Sequence, residues 1–183
     1  MVEGKEILKL IINRQSDRKY SDRPIEKDKL DRIIEAGRMS PSACNAQPWK
    51  FIVVNELELV TKVAGAASAK LIGMNSFVAQ AQVIIVIVRE KANMSSKVGA
   101  TIKNKDYSLF DIGIATENIC LQAEAEDIGS CIIGWFDEKL IRKLLSVPGS
   151  KRVELLITLG YSLSEKREKR RKPLDDVVSF NKY

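Results

Sequence analysis

No histidine occurs in the 183 residues. That absence excludes a Ser-His-Asp triad, a Cys-His nucleophile and a histidine-liganded zinc centre, because each needs an imidazole to move a proton or hold a metal near neutral pH. Cysteine is nearly as scarce: Cys44, Cys120 and Cys131 are odd in number, far apart and form no C-x-x-C pair. They read as reduced thiols, small buried hydrophobes in a cytoplasmic protein. Aromatic residues make up only 6% of the chain, thin for stacking nucleobases. Neither G-x-G-x-x-G nor G-x-x-x-x-G-K-[ST] is present, so a bound phosphate would have to be held by side chains rather than by a glycine loop. Apolar runs are short as well. The longest is Val83–Val88, and the cluster Ile7–Ile12 is broken by Lys9 and preceded by Glu3, Lys5 and Glu6, so neither a membrane span nor an export signal is expected.

What is present suits a soluble single domain over residues 1–183. The chain is 45% hydrophobic and 30% charged, enough to bury a core without disulfide staples. Its net charge of +6 is local: residues 165–172, Glu-Lys-Arg-Glu-Lys-Arg-Arg-Lys, supply +4, leaving +2 for the other 175 residues. So nearly neutral a body lacks the broad basic face that a nucleic acid demands.

Apolar spacing predicts a helix over residues 5–12, ending in the polar run 13–18, and a second over 27–39, stopped by Ser40-Pro41. Residues 49–54, 83–88 and 153–159 read as buried strands. The Ala-rich stretch 56–81 reads as helical in pieces, broken near Gly73 and Asn75. Over 107–127 apolar residues form two stripes: Leu109, Ile112, Ile119, Cys120 and Ala123 on one, Phe110, Ile114, Leu121 and Ala125 on the other. A helix apolar on both sides needs cover on both, so this one is expected to pack on the sheet and against a second subunit, with Gly129 ending it. Ser130–Phe136 is a short apolar segment, and Asp137 is placed to cap a helix carrying Leu140, Ile141, Leu144 and Leu145. After Gly160 the chain becomes charged and extended.

Two segments carry candidate chemistry. Arg14, Ser16 and Arg18 place two guanidinium forks and a hydroxyl within five residues, suited to a phosphate dianion, although a solvated helix end has the same composition. Residues 40–49, Ser-Pro-Ser-Ala-Cys-Asn-Ala-Gln-Pro-Trp, form either a rigid loop for hydrogen-bonding a flat polar ligand or an ordinary helix-to-strand turn. Spacing alone does not separate these alternatives.

Taken in order, Arg-Gln-Ser-x-Arg-x-Tyr (14–20), the 40–49 loop, Asp-Ile-Gly-Ile-Ala (111–115) with Gly-Trp-Phe (134–136), and Lys-Arg-Arg-Lys-Pro-Leu (169–174) resemble the FMN-dependent nitroreductase family over nearly the whole chain. The resemblance implies an α+β fold, a mixed sheet flanked by helices in a domain-swapped homodimer with FMN at the interface. It assigns Arg14, Arg18, Lys169 and Arg171 to the flavin phosphate, with Gln15 and Ser16 near the phosphate or ring. Pro41, Ser42 and Asn45 would reach the partner's flavin, Asn75 its pyrimidine end, and Ile133 and Gly134 would lie against the ring. Residues 89–106 are the segment available for a lid.

The implied activity is hydride transfer from NADH or NADPH through flavin N5 to a nitroaromatic, quinone or similar small-molecule acceptor in a ping-pong cycle. A flavin can carry such chemistry without histidine, and no side chain is assigned a catalytic role and none a metal. Two rivals remain: a flavin-binding protein of the same fold without turnover, and an RNA-binding module anchored by the basic tail.

Overall fold

The computed structural model describes residues 3–68, 75–91 and 105–183. Its centre is strand β2 (Val83–Arg89), apolar from Val83 to Val88. In a pleated strand alternate side chains face opposite ways, so six consecutive apolar residues need cover on both faces. The fold provides it. Ile84, Val86 and Val88 enter one core with Val60, Val63 and Ile141, while Val83, Ile85 and Ile87 enter a second with Leu30, Ile33, Ile112 and Ile119.

Three further strands flank β2: β1 (Trp49–Val54), β3 (Gly129–Ile133) and β4 (Arg152–Gly160), in the order β1-β2-β4-β3. Every ladder is antiparallel, which corrects the expected mixed sheet. β2 and β3 do run the same way, but β4 lies between them and pairs with both, so they share no hydrogen bonds. The one parallel pairing among the described residues is an isolated bridge from Ser16 to Ser130, on the edge strand.

Helices α3 (Leu57–Ala67) and α5 (Glu138–Leu144) cover one face. Helices α2 (Lys27–Arg38) and α4 (Tyr107–Ala125) cover the other. Asp137 caps α5, its carboxylate accepting from the Leu140 N–H at 3.0 Å. The end of α4 differs from expectation: Asp127 takes the left-handed turn (φ 60°), and Gly129 already begins β3. Gly129 is needed there for closeness rather than for φ. A Cβ would stand 2.9 Å from both an Asp17 carboxylate oxygen and the Ser162 Cβ. Within 56–81, α3 is one continuous helix. Asn75 is left-handed (φ 61°), and the expected break at Gly73 falls outside the described residues.

Much apolar surface is left without cover in one chain. Helix α1 (Gly4–Asn13) buries no residue and exposes Ile7, Leu8, Ile11 and Ile12. Helix α4 packs Ile112, Ile119 and Ala123 on the sheet but exposes Leu109, Phe110 and Ile114. The tail beyond Ser162 joins no strand and holds a 3-10 turn at Leu174–Asp176, and it exposes Leu174, Val177 and Phe180. No helix among the described residues is long and apolar enough to cross a membrane.

Candidate functional site

Helix α1 stops at Asn13, and Arg14 follows with extended backbone (ψ 125°), which leads the chain onto the edge of β3. There the Asp17 N–H donates to the Ser130 carbonyl at 2.9 Å, and Tyr20 bridges to Ser162. Tyr20 fixes this segment in depth: its hydroxyl donates to the Asp17 carbonyl at 2.7 Å and lies 2.9 Å from the Thr158 hydroxyl. Burial holds the Tyr20 phenol well above its ordinary value, so it stays protonated and able to donate. Gly160 permits this packing, since a Cβ there would lie 2.9 Å from the Tyr20 ring.

The tail returns across the same edge. Arg167 donates from Nη2 to the Ser16 carbonyl at 2.8 Å, and Lys169 from Nζ to the Ile11 carbonyl at 2.5 Å. Lys166 spans the Asn13 carbonyl (3.2 Å) and the Glu124 carboxylate (2.5 and 2.7 Å). Both lysines thus meet carbonyls at the C-terminal, negative end of α1.

The result is a groove of about 350 Å³ between the two ends of the chain. Arg14, Gln15, Ser16 and Arg18 line one side; Arg167, Glu168, Lys169, Arg170 and Arg171 line the other. Six cations against one carboxylate repel one another unless an anion enters. Two groups show the strain. Burial, then Arg14 and Arg171, hold the Lys169 ammonium below its ordinary value. Among the described residues the buried Arg14 Nε has no hydrogen bond and reaches only an ion pair with Glu117 at 3.4 Å. Guanidinium forks and an ammonium around one groove match a phosphate dianion.

Several of the expected residues meet here: Arg14, Ser16, Arg18, Lys169 and Arg171 all line the groove. Gln15 does so too, but its amide is spent on Asp17, Glu165 and Arg167 and faces the tail. Arg167 escaped the sequence reading because a run of six basic side chains offers no spacing that singles one out.

Pro41, Ser42 and Asn45 lie elsewhere. Their loop sits on the first turns of α4, where the Ala43 N–H donates to Asp111 Oδ1 at 3.0 Å, whereas the groove flanks later turns at Glu117 and Glu124. The loop is tightly wound: Cys44, Asn45 and Gln47 all have positive φ (52°, 51° and 46°). The Ser42 hydroxyl accepts from the Gln47 N–H at 2.9 Å, and the second Asp111 carboxylate oxygen is buried without a hydrogen bond among the described residues. Asn75 is a tether, donating from Nδ2 to the carbonyls of Ala67 (3.1 Å) and Trp135 (3.2 Å). Ile133 closes β3 in the core, and Gly134 follows, exposed. β3 therefore joins the groove at its start to Gly134 at its end. The expected lid, 89–106, lies largely outside the described residues.

Comparison with known proteins places the chain in a family. Residues 11–161 match the model of the Nitroreductase family. A provisionally named NADH dehydrogenase/NAD(P)H nitroreductase of Archaeoglobus fulgidus is 33% identical over 167 residues, covering 88% of each chain. Among solved structures, an FMN-dependent nitroreductase from Clostridium difficile R20291 superposes with a TM-score of 0.78 at 32% identity, covering 96% of this chain and 99% of that one. A nitroreductase family protein from Clostridium novyi NT gives 0.74 at 34% identity, over 88% and 86%. The motif order, the helix-sheet-helix fold and these matches show that the chain belongs to the nitroreductase family.

Proposed function

We propose that the chain is an FMN-dependent oxidoreductase that takes reducing equivalents from NADH or NADPH and passes them to a small acceptor such as a nitroaromatic or quinone. The observation that carries this reading is the cationic groove lined by residues from 14–18 and 167–171, whose charge suits a phosphate in a chain without a glycine loop. FMN, when bound, supplies the hydride chemistry, and the names of the relatives from A. fulgidus and C. difficile agree with both nucleotides.

The residues of this chain then have separate tasks. Arg14 and Arg18 neutralise the phosphate from one side, Lys169 and Arg171 from the other. Ser16 offers its hydroxyl between them. Ile133, whose side chain is buried, and the exposed Gly134 would lie against the ring, offering it backbone rather than a bulky side chain.

We read the chain as working as a homodimer, with the apolar end of the tail beyond the groove, from Leu174 to Phe180, exchanged between protomers. The exposed faces of α1 and α4 and the apolar tail support this, being too much unpaired surface for a lone soluble chain. In such a pair Pro41, Ser42 and Asn45 would reach the partner's site, which accounts for their lying apart from the groove within one chain. The RNA-binding rival loses force because the chain outside residues 165–172 carries only +2, so no broad basic face extends from the groove. Purified protein should be yellow, or become so with added FMN, and NADH or NADPH should bleach it without oxygen. Protein that retains no flavin and ignores added FMN ends this reading; flavin that neither nucleotide reduces leaves only the flavin-binding alternative.

A further inference from the structure

Gln15 is buried, and its carboxamide is saturated. Nε2 donates to the Glu165 carbonyl at 3.1 Å and to Asp17 Oδ1 at 2.9 Å. Oε1 accepts from the Arg167 N–H at 3.1 Å and lies 3.5 Å from the same residue's Nε. An amide has two donor hydrogens and two acceptor lone pairs, and all are in use. The carbonyl of one residue and the N–H two residues on are the pair that a neighbouring strand engages with one of its own residues. The Gln15 side chain stands in for that strand, adding one rung to a tail that has no ladder. Asp17 fixes which way the amide points, and the Ser162 hydroxyl holds Asp17 Oδ1 in turn at 2.7 Å.

The position of this rung along the tail gives it consequence. Leu163 bonds back to the Lys19 carbonyl and Arg167 to Gln15. Beyond Arg167, the tail backbone makes no hydrogen bond to the body of the chain among the described residues. This is the last backbone tie before Lys169, Arg170 and Arg171, and beyond it Lys169 adds a side-chain tie to the Ile11 carbonyl. Arginine or lysine at position 15 could donate to Glu165 but accept nothing from Arg167, and glutamate could accept but not donate; of these side chains the amide alone does both.

We propose that Gln15 is a positioning residue: by fixing the register of residues 165–167 it aims Arg167, Lys169 and Arg171 at the phosphate opposite Arg14 and Arg18. The identity of the ligand rests on the FMN reading above; the clamp does not.

Gln15→Met keeps the length and removes every hydrogen bond; Gln15→Glu keeps the acceptor for the Arg167 N–H. Hydrogen exchange of the purified proteins at Arg167 is the first readout. Exchange should quicken about tenfold in Gln15→Met, much less in Gln15→Glu, with β2 and β4 unchanged. Titration with FMN and with riboflavin is the second. Gln15→Met should weaken FMN about tenfold while leaving riboflavin, which lacks the phosphate, unaffected. Unchanged exchange at Arg167 overturns the clamp, and equal weakening of both flavins overturns its aim at the phosphate. If the unaltered protein binds neither flavin, the FMN reading fails while the exchange comparison still decides the clamp.

Discussion

Arg14 and Arg18 illustrate how far single residues could be read. Their spacing with Ser16 was compatible with a phosphate site or a solvated helix end, and what separates the two is the tail, about 150 residues later, arriving on the same groove. No local pattern encodes that meeting. Replacing either arginine by alanine should cost about 1–3 kcal/mol of FMN binding, checked by fluorescence titration of the apoprotein. Lys169 adds a pH dependence. Its ammonium is held below the ordinary lysine value by burial and neighbouring cations, so raising the pH discharges it early and FMN should loosen through that range. Lys169→Arg, which keeps its charge, should move the loosening to higher pH. The cysteines were legible as buried hydrophobes in two cases of three. Cys120 and Cys131 are buried, and burial pushes the Cys120 thiol up to about 11, so alkylation of either should wait on unfolding. Cys44 is exposed instead, on the strained loop.

At the scale of elements, strongly periodic segments were readable and junctions were not. The six-residue run of β2 demanded two cores and has them, and the double stripe of α4 demanded cover on two sides and finds only one within the chain. The junction after α4 was misplaced because a glycine was expected to supply the left-handed turn, which Asp127 supplies, leaving Gly129 to serve close packing against Asp17. Gly160 serves a similar purpose. The Tyr20 ring it faces is pinned by hydrogen bonds and cannot withdraw, so Gly160→Ala should destabilise the fold by roughly 1–3 kcal/mol in denaturant unfolding. The start of α2 is tied to the end of β4 by a hydrogen bond of 2.5 Å from the Tyr161 hydroxyl to Glu26, which, with Arg23, lowers the Glu26 carboxyl to about 2. A depressed carboxyl contributes its stability above the ordinary value near 4.5 and loses it as pH falls toward 2. Tyr161→Phe should raise the Glu26 titration midpoint seen by NMR.

For the whole molecule, motif order conveyed the family and composition conveyed the location of the charge, but strand order was beyond the sequence. Which strand enters between β2 and β3 depends on long-range pairing, and β4, last in the chain, takes that place and makes the sheet antiparallel. The uncovered faces of α1, α4 and the tail predict a particle of twice the 20.5 kDa chain mass in light scattering. Charged substitutions at Ile7 and Phe110 should reduce it to the single-chain mass. The claim on which the rest stands is that the two ends of the polypeptide together make a receptor for the flavin's phosphate. Calorimetric titration of flavin-free protein with FMN and with riboflavin tests it most directly: saturation at one FMN per chain with riboflavin bound far more weakly is the expected result, and no heat from FMN, or equal affinity for the two, would contradict it.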